Sequence, residues 1–164
     1  MKREVLTIER LWVITRYKND HEYRRANPYH QSRIRHNIIL NEGRDNILSL
    51  IGGIGSPQAW SNAAAHLGVG DSDVPESSGH GGLQAPTNKA YKGMMAGYPL
   101  LDNNKLKWRS EFLAGEAAFA WKELTVSTSG SNAGINLNRK VQDNGVKGVQ
   151  AVWTLDFEVS LTQS

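Results

Sequence analysis

VQAVWTLDFEVSL, residues 149–161, places Val149, Ala151, Trp153, Leu155, Phe157, Val159 and Leu161 at every second position, with Gln150, Thr154, Asp156, Glu158 and Ser160 in most of the gaps. A period of two puts the apolar set on one face of an extended chain and the polar set on the other, so the stretch predicts a half-buried β-strand. The same pattern recurs in LKWRSEF, where Leu106, Trp108 and Phe112 oppose Lys107, Arg109 and Glu111, and in INLNRKV, where Ile135, Leu137 and Val141 oppose Asn136, Asn138 and Lys140. Shorter runs at 5–15, 34–40, 63–69 and 119–126 bring the expected strands to seven. The chain therefore reads as mainly β.

Turn chemistry separates these runs. Asp102-Asn103-Asn104-Lys105 and Asp143-Asn144-Gly145 supply residues that tolerate positive φ, and each can join neighbouring antiparallel strands. Ser127 to Gly134 reads as a longer flexible tip. The strands at 106–112, 119–126, 135–141 and 146–161 could form one meander, but its open edges would need covering. An antiparallel β-sandwich or jelly-roll-like domain with one short helix is the economical solution. The helix falls in NEGRDNILSLIGG: Asn41 is placed to cap it, Glu42 favours its N-terminal dipole, and Ile47, Leu50 and Ile51 line one side with Leu48 flanking. Gly52-Gly53 ends it, and the helix is expected to plug one opening of the sandwich.

The front of the chain differs in charge. Residues 1–44 hold ten Lys/Arg against five Asp/Glu, and the remainder holds nine against eleven, within a formal net charge of +3. Tyr17 to Arg33 shows neither period and contains Asn27-Pro28, so it is expected to be an extended arm, mobile until a partner orders it. The expected organisation is an N-terminal strand with a basic arm over residues 1–36 and the β-sandwich over 37–164. Tyr17, Tyr23, Tyr29, Arg24, Arg25 and Arg33 are the candidate partner-binding residues, because Tyr and Arg anchor interfaces when desolvated. Aromatics interleaved with Arg can also stack on bases, but the charges are mixed and make no basic stripe, so nucleic acid is not expected as a partner.

Composition closes other classes. The 164 residues suit one good core; the hydrophobic share is 39%, and no apolar run is long enough to span a bilayer, so a soluble chain with no membrane partner is expected. The first ten residues alternate charged and apolar side chains and lack a secretory signal pattern. With no cysteine there is no disulfide, thiolate zinc site or cysteine nucleophile.

HLGVGDSDVP, residues 66–75, tests the remaining chemistry. A dinucleotide fingerprint fails because position 73 is Asp and Pro75 continues as loop, and no Gly-Lys-Ser/Thr phosphate tripeptide occurs. Asp71 and Asp73 have calcium-loop spacing, with His66 and His80 flanking, but Pro75 occupies the third ligand place. The favoured reading is a strand ending near Val69 with Gly68 and Gly70 bending into a rim loop, and no metal or cofactor is expected. No serine lies in a nucleophile elbow, and Glu116 and Glu123 bracket AAFAW as a carboxylate pair of a kind common by chance. No catalytic residue is assigned and the protein is expected not to be an enzyme.

Taken in order, the Asn41–Gly52 helix, HLGVGDSDVP, the LQA segment leading to Lys89, GEAAFAWKEL (115–124), NLNRKV (136–141) and KGVQAVWTLDFEVSL (147–161) resemble a family of small structural proteins of tailed bacteriophages. The likeness spans about residues 37–161. It departs where carboxylates stand for hydroxyls in GVGDSDVP and where KELTV replaces the usual continuation. The resemblance implies a non-enzymatic virion protein, with an accessory or decoration subunit on the capsid favoured over a tail, collar or fibre-associated one. It implies other virion proteins as partners, the major capsid protein or tail and neck proteins, and a small homo-oligomer. A different class, a module binding host-surface carbohydrate, would use Trp60 beside Ser61-Asn62, since Trp108, Trp121 and Trp153 sit in strand patterns and are expected in the core.

Overall fold

A computed structural model describes residues 4–163; Met1–Arg3 of the expected N-terminal segment and Ser164 lie outside them. In chain order the elements are β1 (Leu6–Tyr17), α1 (Asp20–Arg24), β2 (His30–Arg35), β3 (Ile38–Ile39), α2 (Asn41–Gly52), β4 (His66–Gly70), β5 (Lys89–Gly93), β6 (Leu100–Asp102), β7 (Lys105–Phe112), β8 (Glu123–Ser127), β9 (Asn136–Val141) and β10 (Val152–Gln163). They form two five-stranded antiparallel sheets, a front sheet ordered β2-β1-β10-β7-β6 and a back sheet ordered β3-β9-β8-β4-β5. The fold is a mainly β sandwich.

The alternation of β10 sets the core. Trp153, Leu155 and Phe157 point at the back sheet together with their register neighbours Ile14 and Trp12 on β1 and Phe112 and Trp108 on β7. Leu67, Val69, Leu124, Val126 and Leu137 meet them from the back sheet. The rings interlock: Trp12 and Trp108 lie 4.6 and 5.7 Å from Phe157, and Phe112 and Trp153 both approach Trp121 edge-on at 4.9 Å. Trp108, Trp121 and Trp153 are buried as expected, and each Leu, Val or Phe fully removed from water here contributes on the order of 1.5–3 kcal/mol.

Several expectations need correction. The strands do not run as a single meander, because β7 and β10 belong to the front sheet while β8 and β9 belong to the back. Asp143 to Gly145 therefore leads across the sandwich, its Gly145 at φ 85°, rather than turning a hairpin. Strands β2, β5 and β6 were not expected as such: β5 and β6 are short, and β2 buries only Ile34.

The extended arm is also corrected. Within Tyr17–Arg33 the chain folds as α1 and then β2, which pairs with β1 from Leu11–Arg35 to Arg16–His30. Local chemistry explains both elements. The Asn19 side chain caps α1 by accepting from the Glu22 N–H at 2.9 Å, and Asp20 and Glu22 occupy its first turn. The polar β2 is held at the edge by Gln31 donating to Thr15 Oγ1 at 3.0 Å and by Arg16 donating to Ser32 Oγ at 2.6 Å.

Helix α2 has the expected ends but another face. Leu40, not Asn41, is the N-cap and makes no side-chain cap bond, while Gly53 closes the helix in the left-handed region at φ 61°. Gly43 and Asn46 are the buried residues, and Leu48, Leu50 and Ile51 are exposed. A Cβ at Gly43 would fall on the Leu137 carbonyl, so glycine is what lets the helix lie against β9. Asn46 donates to Gln58 O at 2.7 Å and accepts from Gln58 N at 3.0 Å, tying the helix to the following loop.

Candidate interaction surfaces

The outward face of the front sheet carries the charged residues of the alternating strands. Asp156 and Glu158 on β10 stand opposite Arg109 and Lys107 on β7. Arg109 makes a forked contact with Asp156 at 2.5 and 2.7 Å, and Lys107 reaches Asp156 at 3.1 Å and Glu158 at 3.4 Å. The hydrogen bond to Asp156 raises the Arg109 pKa further above its ordinary value, against the opposing effect of burial. On the other flank Leu11 and Val13 of β1 are buried beside the exposed Arg35 and Arg33 of β2. A shallow depression lined by Glu9, Leu11, Arg33, Arg35, Lys105 and Glu158 marks this side of the face.

The N-terminal candidates are divided by the fold. Tyr17 and Tyr23 come together edge-on at 5.1 Å, and the Tyr23 hydroxyl donates to Glu111 on β7. Burial first, and then the Glu111 carboxylate, push the Tyr23 phenol up to about 12. Arg24 is engaged by Asp20 at 2.8 Å, and Arg25 is the exposed C-cap of α1. Tyr29 is exposed, and its N–H donates to Arg16 O at 2.9 Å. Arg33 stands on β2. Periodicity missed Arg16 altogether: its guanidinium lies 4.6 Å over the Trp153 ring, donates to Asn144 O at 2.8 Å, and has its pKa lowered by burial.

The glycines of HLGVGDSDVP do not bend the chain. They lie within β4, the fourth strand of the back sheet, between β8 and β5. A Cβ at Gly68 would meet the Tyr91 ring at 2.7 Å, and one at Gly70 would strike the Glu123 carboxylate. The absent side chain of Gly70 makes room for a buried ion pair. Glu123 of β8 accepts from Arg139 Nε of β9 at 2.9 Å, with Arg139 Nη2 in ion-pair contact at 2.8 Å, and also accepts from the N–H groups of Gln84 and Ala85, each as close as 2.8 Å. Arg139 in turn donates to Pro75 O at 3.3 Å and lies 3.2 Å from His80 Nδ1. The rim loop after β4 is thus fastened over the outward face of the back sheet, with Leu83 and Ala85 buried beneath it.

The rim carboxylates lie apart from that pair. Asp71 accepts from Asn88 Nδ2 at 2.7 Å, and Asp73 is exposed with Lys122 at 3.9 Å. Among the described residues no three His, Cys, Asp or Glu side chains are grouped to hold a metal ion. Glu116 is committed to Lys92 at 2.6 Å and to the Leu113 N–H at 2.8 Å; burial alone would raise its carboxyl, but these two contacts hold it below the ordinary range. A second shallow depression is lined by Lys89, Tyr91, Ser131 and Asn132, where the Tyr91 hydroxyl donates to Asn132.

Trp60 cannot offer a ring to a sugar: it is buried in the core, with Nε1 donating to Ile135 O at 3.0 Å. Sequence periodicity also missed an overhang. The core face of the front sheet continues past the Trp12–Phe157–Trp108 row, and there Ile8, Leu6 and Leu161 are 47, 66 and 47% exposed and Leu101 is 71% exposed. The front strands β1 and β10 are twelve residues long and outrun the back sheet, whose longest strand has six. No known family, curated protein or solved structure matches this chain.

Proposed function

We propose that the protein is a non-enzymatic structural subunit of a tailed-bacteriophage virion, bound to the capsid as an accessory or decoration protein. The observation that carries this reading is the ordered motif series between Asn41 and Leu161, which resembles small structural proteins of such phages. The surfaces support it. Apolar side chains at Leu6, Ile8, Leu101 and Leu161 stand in water, as they do on proteins that bury such patches against neighbours. Arg33 and Arg35 are exposed on the opposite, outward face of the same sheet. The Glu123–Arg139 pair is fully enclosed and fastens one part of the fold to another.

The test is direct. Particles of the phage whose genome encodes the chain are purified, their proteins identified by mass spectrometry, and the chain located by immunogold labelling. Label over the head is expected. Label confined to the neck or tail would move the protein to the collar or fibre-associated class, and absence from purified particles would overturn the reading.

A further inference from the structure

We infer that a second copy of this chain pairs with the first along the open edge of β1, across residues Glu4–Arg10, to make one continuous ten-stranded front sheet. Strand β1 pairs with β10 along its whole length, from Leu6–Gln163 to Tyr17–Val152, but β2 covers its other edge only from Leu11 to Arg16. Among the described residues nothing bonds the remaining edge. The direction of its groups follows from Arg16, whose C=O accepts from Tyr29 on the β2 side. Residues of the same parity, Leu6, Ile8 and Arg10, therefore aim N–H and C=O at the open edge. An exposed strand edge that is also apolar on one face is a template for another strand.

Self-pairing restricts the register. Antiparallel pairing about a two-fold axis must place even-numbered residues opposite even-numbered ones, so that the bonding groups meet and both core faces lie on the same side. Centring the axis on Glu9 would oppose two carboxylates, and centring it on Ile8 would run Val5 and Glu4 of the second copy into the places Arg35 and Ile34 hold beside Leu11 and Trp12, whereas about Thr7 the described residues 4–10 stop short of β2. Centring it on Thr7 fills the open stretch. It sets Leu6 against Ile8 twice, Thr7 against Thr7, and Glu4 against Arg10 twice.

The last pair answers an independent observation. Arg10 shares the core-side face with Ile8 and Trp12, and its Nε is buried with no hydrogen-bond partner. The Glu4 carboxylate of the second copy would arrive opposite it on that face. The same arrangement joins the two overhangs, Leu6, Ile8 and Leu161 from each copy, into one apolar floor. This inference does not depend on the virion reading, because it concerns the purified protein alone.

The chain has no cysteine, so cross-linking can report the register. In a non-hydrogen-bonded antiparallel pair the Cα atoms lie about 4.5 Å apart, within disulfide reach, so Thr7→Cys is expected to give a covalent dimer under mild oxidation. Two residues along, the Glu9→Cys thiols of the two copies would be separated by roughly 13 Å, beyond reach. Sedimentation of the unmodified full chain is expected to give twice the 18.2 kDa protomer mass. Ile8→Pro removes only an outward-facing N–H and should give a folded monomer, with near-ultraviolet circular dichroism checking the fold. Glu4→Arg should weaken the dimer at least tenfold and Glu4→Arg/Arg10→Glu should restore it. A monomer at 100 µM concentration, on the order expected to saturate a micromolar dimer, would overturn the inference, as would equal cross-linking through Glu9→Cys or a dimer indifferent to Ile8→Pro.

Discussion

Arg139 meets one oxygen of Glu123 twice, through Nε at 2.9 Å and Nη2 at 2.8 Å, and neither side chain is reached by solvent. Removing one partner leaves the other charge buried without its counter-ion, which costs about 3–5 kcal/mol. Glu123→Leu is expected to lose that much in urea unfolding. Glu123→Leu/Arg139→Leu should recover part of it and no more, because the Gln84 and Ala85 N–H groups would still lack their acceptor. A single variant within 0.5 kcal/mol of the parent, about the range of an ordinary surface change, would show that the pair does not hold the rim loop.

The glycines separate tight sites from open ones. Gly43→Ala would press a methyl onto the Leu137 main chain, which has no rotamer to yield, and is expected to cost about 1–3 kcal/mol or more. Gly70→Ala should cost a similar amount by displacing the Glu123 carboxylate. Gly148→Ala meets nothing within 4 Å and is expected to stay within about 0.5 kcal/mol of the parent. Thermal melts of the three variants give the ranking.

Trp153→Ala is expected to lose about 3–5 kcal/mol, as a buried aromatic truncation. The ring supports Trp121 at 4.9 Å and lies beneath the Arg16 guanidinium at 4.6 Å, so the variant also strips a cation of its π face. Denaturant unfolding, with the near-ultraviolet tryptophan signal as a second probe, checks it.

The Tyr23 phenol gives an alkaline signature. Its pKa is raised in the folded chain to about 12 from an ordinary 10, so folding favours the protonated form. The contribution is fully present below pH 10 and is lost as the pH rises toward 12, since the unfolded phenol ionises first. Absorbance titration of the phenolate should show two tyrosines ionising late, Tyr23 and the still more strongly raised, buried Tyr91, and Tyr23→Phe should remove the earlier of the two steps along with some of the alkaline loss of stability.

Legibility in the sequence followed the alternation of residue types. Strand β7 alternates half-buried and buried positions, and β10, buried throughout Val152–Glu158, keeps a period of two because its outward Thr154, Asp156 and Glu158 are polar. Strands β8 and β9 are buried on both faces, yet Glu123, Thr125, Asn136, Asn138 and Arg139 are polar because the rim loop and neighbouring side chains supply hydrogen bonds where water would otherwise stand. Polarity there reads as a wet face when it is a dry, satisfied one. Strand β2 escaped notice for the opposite reason, since an edge strand needs ladder bonds more than apolar side chains and only Ile34 among its residues is buried. The charged alternation of β7 was visible, but its pairing with Asp156 and Glu158 depends on a partner some fifty residues away, which periodicity does not encode.

The adjacency of β1 and β10 governs how the chain must acquire its shape. Their ladder joins residues 6–17 to 152–163, so the middle of the front sheet closes across nearly the whole sequence. Until β10 has been synthesised, β1 and β7 have no strand between them, and the earlier segments can at most assemble the back sheet and the separate β1–β2 and β6–β7 pairs. Such distant pairing places refolding toward the millisecond-to-second end of the range for small domains. During that interval the core faces of β1 and β7 are open to other chains, so yield on refolding is expected to fall steeply with protein concentration.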